Sequence, residues 1–268
     1  MLENILIAFG VVTAVGLILA VLLAVASHFL FVPEDETVKE IREALPGVNC
    51  GACGYTGCDE YAKAVAEGEK INLCVPGADA TSKEISEIMG VEFEDVIEKS
   101  AFVRCNGNTH DTERKNQYQG VPTCKAASAI YGGPNDCKYG CLGCGDCAKV
   151  CPVNAICIAD GIAHIDRTIC IGCGLCVKTC PKGIIELSPQ VSTVAVMCSS
   201  CDKGAVARKK CKNACIACKK CENVCPHDAI SVKDNLASID YEKCTSCGIC
   251  VENCPTKCIK KLHYETKD

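Results

Sequence analysis

Twenty-eight of the 268 residues are cysteine, and one spacing recurs among them. The run C-x2-C-x2-C-x3-C-P occurs four times: Cys141, Cys144, Cys147 and Cys151 precede Pro152, and Cys170, Cys173, Cys176 and Cys180 precede Pro181. Further on, Cys215, Cys218, Cys221 and Cys225 precede Pro226, and Cys244, Cys247, Cys250 and Cys254 precede Pro255. Thiols this close in sequence converge on one centre more easily than they pair off as disulfides. Zinc takes two C-x2-C pairs or a pair with histidines, and the five histidines complete no such pattern. No C-x-x-C-H occurs, so covalent haem is unsupported. The run is instead the signature of paired [4Fe–4S] clusters, in which three thiolates wrap one cluster and the fourth, next to the proline, reaches the other. The predicted ligand sets are therefore crossed. Cys141, Cys144 and Cys147 take Cys180; Cys170, Cys173 and Cys176 take Cys151; Cys215, Cys218 and Cys221 take Cys254; Cys244, Cys247 and Cys250 take Cys225.

The four runs form an internal duplication. Adding 74 to each position from Cys141 to Cys180 lands on Cys215 to Cys254 without a gap, and Ala155-Ile156 maps onto Ala229-Ile230. Each half reads as a motif, a short strand pair and a second motif, the small two-cluster ferredoxin module. The same offset pairs Cys124 with Cys198 and Cys137 with Cys211.

A further set, Cys50, Cys53, Cys58 and Cys74, lies upstream among Gly51, Gly54 and Gly57. These glycines let the backbone wrap a centre closely. A helix over 59–67 would direct its N-terminus at that centre and offset negative charge. A four-cysteine zinc site is the competing reading of this quartet. Short helices are also expected over 37–45, with Val38, Ile41 and Leu45 on one face, and over 81–90, with Thr81 and Glu84 as a capping box.

The N-terminus carries a different signal. Ile5 to Val32 is a 28-residue apolar run broken only by Thr13, Ser27 and His28. That exceeds the roughly 20 residues needed to span a bilayer. The basic region of a secretory signal is missing, and the run is too long for one. A transmembrane anchor is predicted, with Lys39 and Arg42 favouring a cytoplasmic side for the residues after it. Thiolate clusters also require a reducing compartment. The net charge of -5 argues against a nucleic-acid partner. No nucleotide-binding fingerprint and no nucleophilic triad is present, so electron transfer rather than bond chemistry is expected.

The order of these features resembles one family. The apolar anchor, the segment NCGACGYTGCDEYAKAV through Cys74, VRCNGN, and CKYGCLGCGDCAKVCP with the later motifs are similar to the B subunits of Rnf complexes, ion-translocating ferredoxin–NAD oxidoreductases. The resemblance covers essentially the whole chain. It implies an α+β protein: an anchor over 1–33, a small helical [4Fe–4S] domain over 34–100, and two tandem ferredoxin modules over 101–190 and 191–268. It implies metal sites at Cys50, Cys53, Cys58, Cys74 and the motif cysteines. It implies soluble ferredoxin, membrane lipid, and membrane and flavin- or NAD-binding subunits as partners, at the cytoplasmic face of the cell membrane. Electrons would pass from ferredoxin through the clusters while partner subunits move Na⁺ or H⁺. A membrane-anchored polyferredoxin serving another reductase or hydrogenase is the alternative. A zinc scaffold or cluster-based sensor is a third reading. Many members carry one ferredoxin pair; this chain carries two.

The motif thiols demand five clusters, and the eight left over suffice for a sixth and a seventh. Their expected groups are Cys105, Cys124, Cys137 and Cys157, and Cys198, Cys201, Cys211 and Cys258, each flanking one module. Charge is also uneven: residues 196–268 carry 13 basic and 9 acidic side chains, against 15 and 24 before them. Arg208, Lys209, Lys210, Lys212, Lys219 and Lys220 concentrate this excess beside Cys211 to Cys221, where an acidic ferredoxin is expected to dock; a solvated face that balances the negative charge of thiolate-bound clusters is the alternative.

Overall fold

The computed structural model describes residues 2–29 and 35–262, so Met1 and residues 30–33 of the expected anchor lie outside the described residues. Helix α1 spans Leu2–Phe29. It is about 42 Å long at 1.5 Å per residue, against a hydrocarbon core of roughly 30 Å. Its Phe9–Ser27 window is long and apolar enough to cross a membrane, and none of that window is buried against the rest of the protein.

Three helices and a turn come next: α2 (Glu36–Ala44), α3 (Cys58–Ala66), a 3₁₀ turn over Val75–Gly77, and α4 (Ala78–Met89). Asp35 caps α2 by accepting from Thr37 N at 3.0 Å. Ile41, Tyr61, Val65 and Ile85 are fully buried and form a core of their own with Cys74. The capping box expected at Thr81 does not form. Helix α4 starts three residues earlier, after the turn, and Thr81 is a buried interior residue whose hydroxyl donates to Ala44 O at 3.4 Å. A tertiary partner has taken the side chain from the local capping role.

Two β-rich modules complete the fold. The first contains β1 (Lys99–Val103), α5 (Cys124–Ala129), α6 (Asp146–Lys149), β2 (Ile156–Ala159), β3 (Ile162–Ile165), α7 (Leu175–Thr179) and β4 (Ile185–Pro189). The second contains β5 (Val194–Val196), α8 (Gly204–Lys210), α9 (Lys220–Asn223), β6 (Ile230–Lys233), β7 (Leu236–Ile239), α10 (Ile249–Glu252) and β8 (Ile259–Lys261). Antiparallel pairs β2–β3 and β6–β7 are hairpins in equivalent register, Ile156 opposite Ile165 and Ile230 opposite Ile239. Each module's first strand pairs with its last: β1 with β4, Val103 opposite Ile185, and β5 with β8, Val196 opposite Ile259. The first pairing begins at Lys99, two residues before 101. Each module has its own core, in which cysteines and β-branched residues are interleaved.

Arg167 is buried at the join between the modules. Its guanidinium donates to Ser100 Oγ at 2.6 Å, Ser192 O at 2.6 Å, Pro189 O at 3.0 Å and Ser188 Oγ at 3.2 Å. One planar group thus ties β1, β4 and the connection to β5. The modules also meet through Ser199 Oγ donating to Arg104 O (2.9 Å), Lys260 Nζ to Asn106 Oδ1 (3.0 Å) and Thr112 Oγ1 to Lys210 O (2.7 Å).

Candidate iron–sulfur centres

In the N-terminal domain the four thiols are set by local turns and one tyrosine. Gly51 and Gly54 adopt φ of +67° and +95°, which glycine enters without strain. Asn49 Oδ1 accepts from Cys58 N at 2.8 Å and opens α3 at the cysteine itself, so the helix N-terminus faces the thiols. Cys74 returns through Tyr61, whose hydroxyl donates to Lys70 O at 2.8 Å and accepts from Leu73 N at 3.2 Å. Sequence reasoning missed Tyr61; its signal was only an apolar helix position. Burial pushes the Cys74 thiol up to about 11, and Cys58, Cys50 and Cys53 nearby add to the rise.

The two modules bring thiols together in the crossed pattern. A small cavity of about 20 Å³ in the first module is lined by Cys141, Cys147 and the distant Cys180. In the second, a cavity of about 20 Å³ is lined by Cys244, Cys247, Cys250 and the distant Cys225. At the remaining two sites the thiols bear on one another electrostatically: Cys173 feels Cys170 and Cys151, and Cys221 feels Cys215, Cys218 and Cys254. Backbone amides aim at the sulfurs. Cys151 Sγ accepts from Ala155 N and its equivalent Cys225 Sγ from Ala229 N, both at 3.3 Å, and Cys170 Sγ accepts from Ala101 N at 3.4 Å. Such donors offset the charge of a thiolate-bound cluster and help set its potential.

These residues fit the group that the motifs imply. Burial raises the Cys147 thiol to about 11 and those of Cys176 and Cys221 to about 12. Thiolates gathered in apolar surroundings need a bound cation to stay ionised. Among the described residues, no three His, Cys, Asp or Glu side chains gather closely enough to hold one metal ion.

The eight remaining cysteines do not group as expected from sequence. Cys105 and Cys137 line one cavity together with Cys198 and Cys211 of the other module. Cys124 lies at the Cys141 site, next to Cys144. Cys258 is buried with its sulfur 3.6 Å from that of Cys254. Cys157 and Cys201 are exposed. Both expected quartets are thus replaced. The reason is an insertion: 31 residues separate Cys105 from Cys137, but 12 separate Cys198 from Cys211. Cys124 falls inside that insertion, so the constant offset that paired it with Cys198 is not a structural equivalence.

Five of the six residues of the basic cluster are exposed and Lys210 is half-buried, though three are engaged locally. Lys210 pairs with Asp202 at 2.8 Å, Lys212 Nζ donates to His110 O at 3.2 Å, and Lys219 lies 3.9 Å from Glu222. Arg208, Lys209 and Lys220 are exposed and make no ion pair among the described residues. Lys209, Lys210 and Lys212 edge an open groove whose other wall is residues 107–114.

Cysteine loops whose thiols gather across the two motifs of each module, in two duplicated modules behind a third four-thiol domain, define an iron–sulfur electron-transfer protein. Family models agree. An Fe-S cluster family matches residues 45–76, and two 4Fe-4S dicluster domain families match residues 140–184 and 214–258, and residues 169–230. The chain is 42% identical over 261 residues to the B subunit of the Na(+)-translocating ferredoxin:NAD(+) oxidoreductase complex of Acetobacterium woodii, covering 97% of this chain and 78% of that protein. It is 42% identical over 257 residues to the B subunit of the proton-translocating ferredoxin:NAD(+) oxidoreductase complex of Clostridium ljungdahlii, covering 94% and 90%. It is 36% identical over 253 residues to the B subunit of the ion-translocating oxidoreductase complex of Methanosarcina acetivorans, covering 94% and 96%. The chain belongs to the family of Rnf complex B subunits.

Proposed function

We propose that this chain is the electron-transfer subunit of a membrane-bound ferredoxin:NAD oxidoreductase complex that translocates Na⁺ or H⁺. It takes electrons from reduced soluble ferredoxin and passes them to membrane-embedded and flavin- or NAD-binding partners. The observation that carries this reading is the whole-length similarity to B subunits of such complexes, joined to crossed thiol sets in both modules. The clusters supply one-electron steps when bound. The residues of the chain hold, space and shield them.

Proximity orders the sites. Lys178 Nζ, on the first module's α7, donates to Cys50 O at 3.0 Å, and Cys50 also bears on the Cys173 thiol. The N-terminal domain therefore covers the Cys170 site, and α1 leads from it to the membrane. The second module lies at the other end, with Cys218 and Cys247 exposed. We place ferredoxin there, beside Arg208, Lys209 and Lys220, and the exit to membrane partners at the N-terminal domain. Helix α1 anchors the chain as a single pass, with the cluster domains on the cytoplasmic side. Lipid at α1 and the complex's other subunits are its partners; a single helix forms no ion pathway by itself.

The test is to isolate the full chain from membranes anaerobically with its associated subunits. NAD reduction by reduced ferredoxin should be lost on deletion of the gene and restored by the intact chain. A chain lacking residues 1–32 should be soluble and cluster-bearing, yet fail to restore it. Full activity with the soluble form, or recovery of the intact chain in the soluble fraction, would refute the membrane assignment.

A further inference from the structure

We propose that Cys105, Cys137, Cys198 and Cys211 form one additional [4Fe–4S] site, built half from each ferredoxin module and seated between them. None of the four belongs to a C-x2-C-x2-C-x3-C-P run; Cys105 and Cys137 lie outside every matched segment, and Cys198 and Cys211 fall only within the match over residues 169–230, between its motif cysteines. The inference rests on the iron–sulfur reading above and extends it to a site that the duplication creates.

Three observations carry it. First, the four cysteines line one cavity of about 20 Å³, the same size as the cavities at two motif sites. Cys105, Cys198 and Cys211 are buried and Cys137 is half-buried. Second, the two halves are structurally equivalent. Cys105 lies two residues past β1 and Cys198 two residues past β5. Cys141 N donates to Cys105 Sγ at 3.3 Å, and Cys215 N donates to Cys198 Sγ at 3.3 Å. Gly140 N donates to Cys137 O, and Ala214 N donates to Cys211 O, both at 3.2 Å. Each module thus offers one thiol after its first strand and one ahead of its first motif.

Third, the backbone leaves room where the sulfurs converge. A Cβ on Gly107 would sit 3.1 Å from Cys211 Sγ and 3.8 Å from Cys105 Sγ, thiols of different modules. The insertion holds the halves together around this point. Thr112 and Cys211 form an isolated antiparallel bridge, Lys212 N donates to Asp111 O at 3.0 Å, and Asn213 Nδ2 donates to Asn106 O at 3.1 Å. Four thiols lining one cavity, with an amide donor on two of them, match what the motif sites use.

The location has a consequence. Cys141 and Cys215 are ligands of the inner cluster of each module, and each is hydrogen-bonded through its amide to a thiol of this site. Occupied, the site places a one-electron relay between the modules: each electron received from the Cys215 side leaves to the Cys141 side. The second module is then in series with the first and with the N-terminal domain.

The experiment uses the full chain, isolated or reconstituted anaerobically, with iron and sulfide counted and the reduced spectrum recorded by electron paramagnetic resonance. The intact chain should hold about 24 iron atoms, six four-iron clusters. Cys105→Ser and Cys211→Ser should each lose about four iron atoms. The double variant should lose the same four, because both thiols serve one cluster. Cys157→Ser and Cys201→Ser should lose none. Gly107→Ala, which leaves every cysteine in place, should lower occupancy of the same centre while the other signals persist. A double variant losing about eight iron atoms would mean two separate sites. Single variants with full iron content, or an intact chain holding about 20 with the five motif-derived signals, would remove the site. None of these counts depends on ferredoxin, NAD or ion transport.

Discussion

The two ferredoxin modules share one fold and differ in what surrounds it. Equivalent loop positions adopt left-handed backbone in both. In the first module all four are glycine: Gly143, Gly145, Gly172 and Gly174, at φ from +65° to +82°. In the second they are Ala217, Lys219, Ser246 and Gly248, at φ of +53°, +60°, +57° and +81°. A left-handed non-glycine residue costs about 1–2 kcal/mol. The conformation therefore comes from the convergence of three thiols on one centre; glycine only makes it cheaper. Glycine is required where something else approaches. A Cβ on Gly172 would lie 2.3 Å from Lys99 O, and one on Gly143 would lie 2.4 Å from Gly161 O. Exposure differs in the same sense. Cys173 is buried and Cys144 half-buried, whereas their equivalents Cys247 and Cys218 are exposed. The first module is packed between the N-terminal domain and its twin. The second has two motif cysteines, Cys218 and Cys247, open to solvent.

The sharpest test of this contrast is Gly172→Ala. With φ at +65° and Lys99 O in the way, it should cost of order 3 kcal/mol and lower the iron content of the first module. Ser246→Ala, at the equivalent position, should lose only the hydrogen bond that its hydroxyl accepts from Thr193 N at 3.0 Å, about 1 kcal/mol. Thermal unfolding and iron content measure both; equal losses would mean that the close approach at Gly172 is unimportant.

Charge reversal of Lys209, Lys210 and Lys212 to Glu comes next. Reduction by ferredoxin should slow about tenfold at low salt, with the difference shrinking as salt rises. A wild-type rate and salt dependence would put the docking surface elsewhere. Iron chelation should then separate the modules in time. The phase assigned to Cys218 and Cys247 should run ahead of that assigned to Cys144 and Cys173, followed by resonance signals in single-cysteine variants. One common rate would erase the proposed difference in access. The smallest effect is expected for Ala217→Gly. It should raise stability by up to ~1 kcal/mol, since glycine removes the left-handed strain but adds freedom to the unfolded chain. A decrease would show that the Ala217 methyl makes packing contacts worth more than the strain.

Much of this protein is decided locally. The twenty motif thiols, their crossing and the 74-residue repeat are legible because a cluster loop needs its ligands at fixed short spacings, and chain proximity alone brings three of them together. The apolar helix is legible for a similar reason: a bilayer asks for length and composition, not for partners. The helices of the N-terminal domain lie within a few residues of their expected spans because their apolar faces carry the signal.

What sequence did not disclose depends on contacts between distant segments. Thr81 left its capping role for Ala44 O, and Tyr61 became the clasp behind Cys74. Arg167 joins strands that no local pattern connects. Ala217, Lys219 and Ser246 hide left-handed turns because no glycine marks them. Cys105 could not be matched to Cys198 by counting, since a 19-residue difference in the connecting segments breaks the repeat just there. Strand pairing restores the match: β1 and β5 occupy the same place in each module, and each delivers its cysteine to the seam. Spacing along the chain determined the sites whose ligands are neighbours. Only the packing of one module against the other decided where the separated thiols meet.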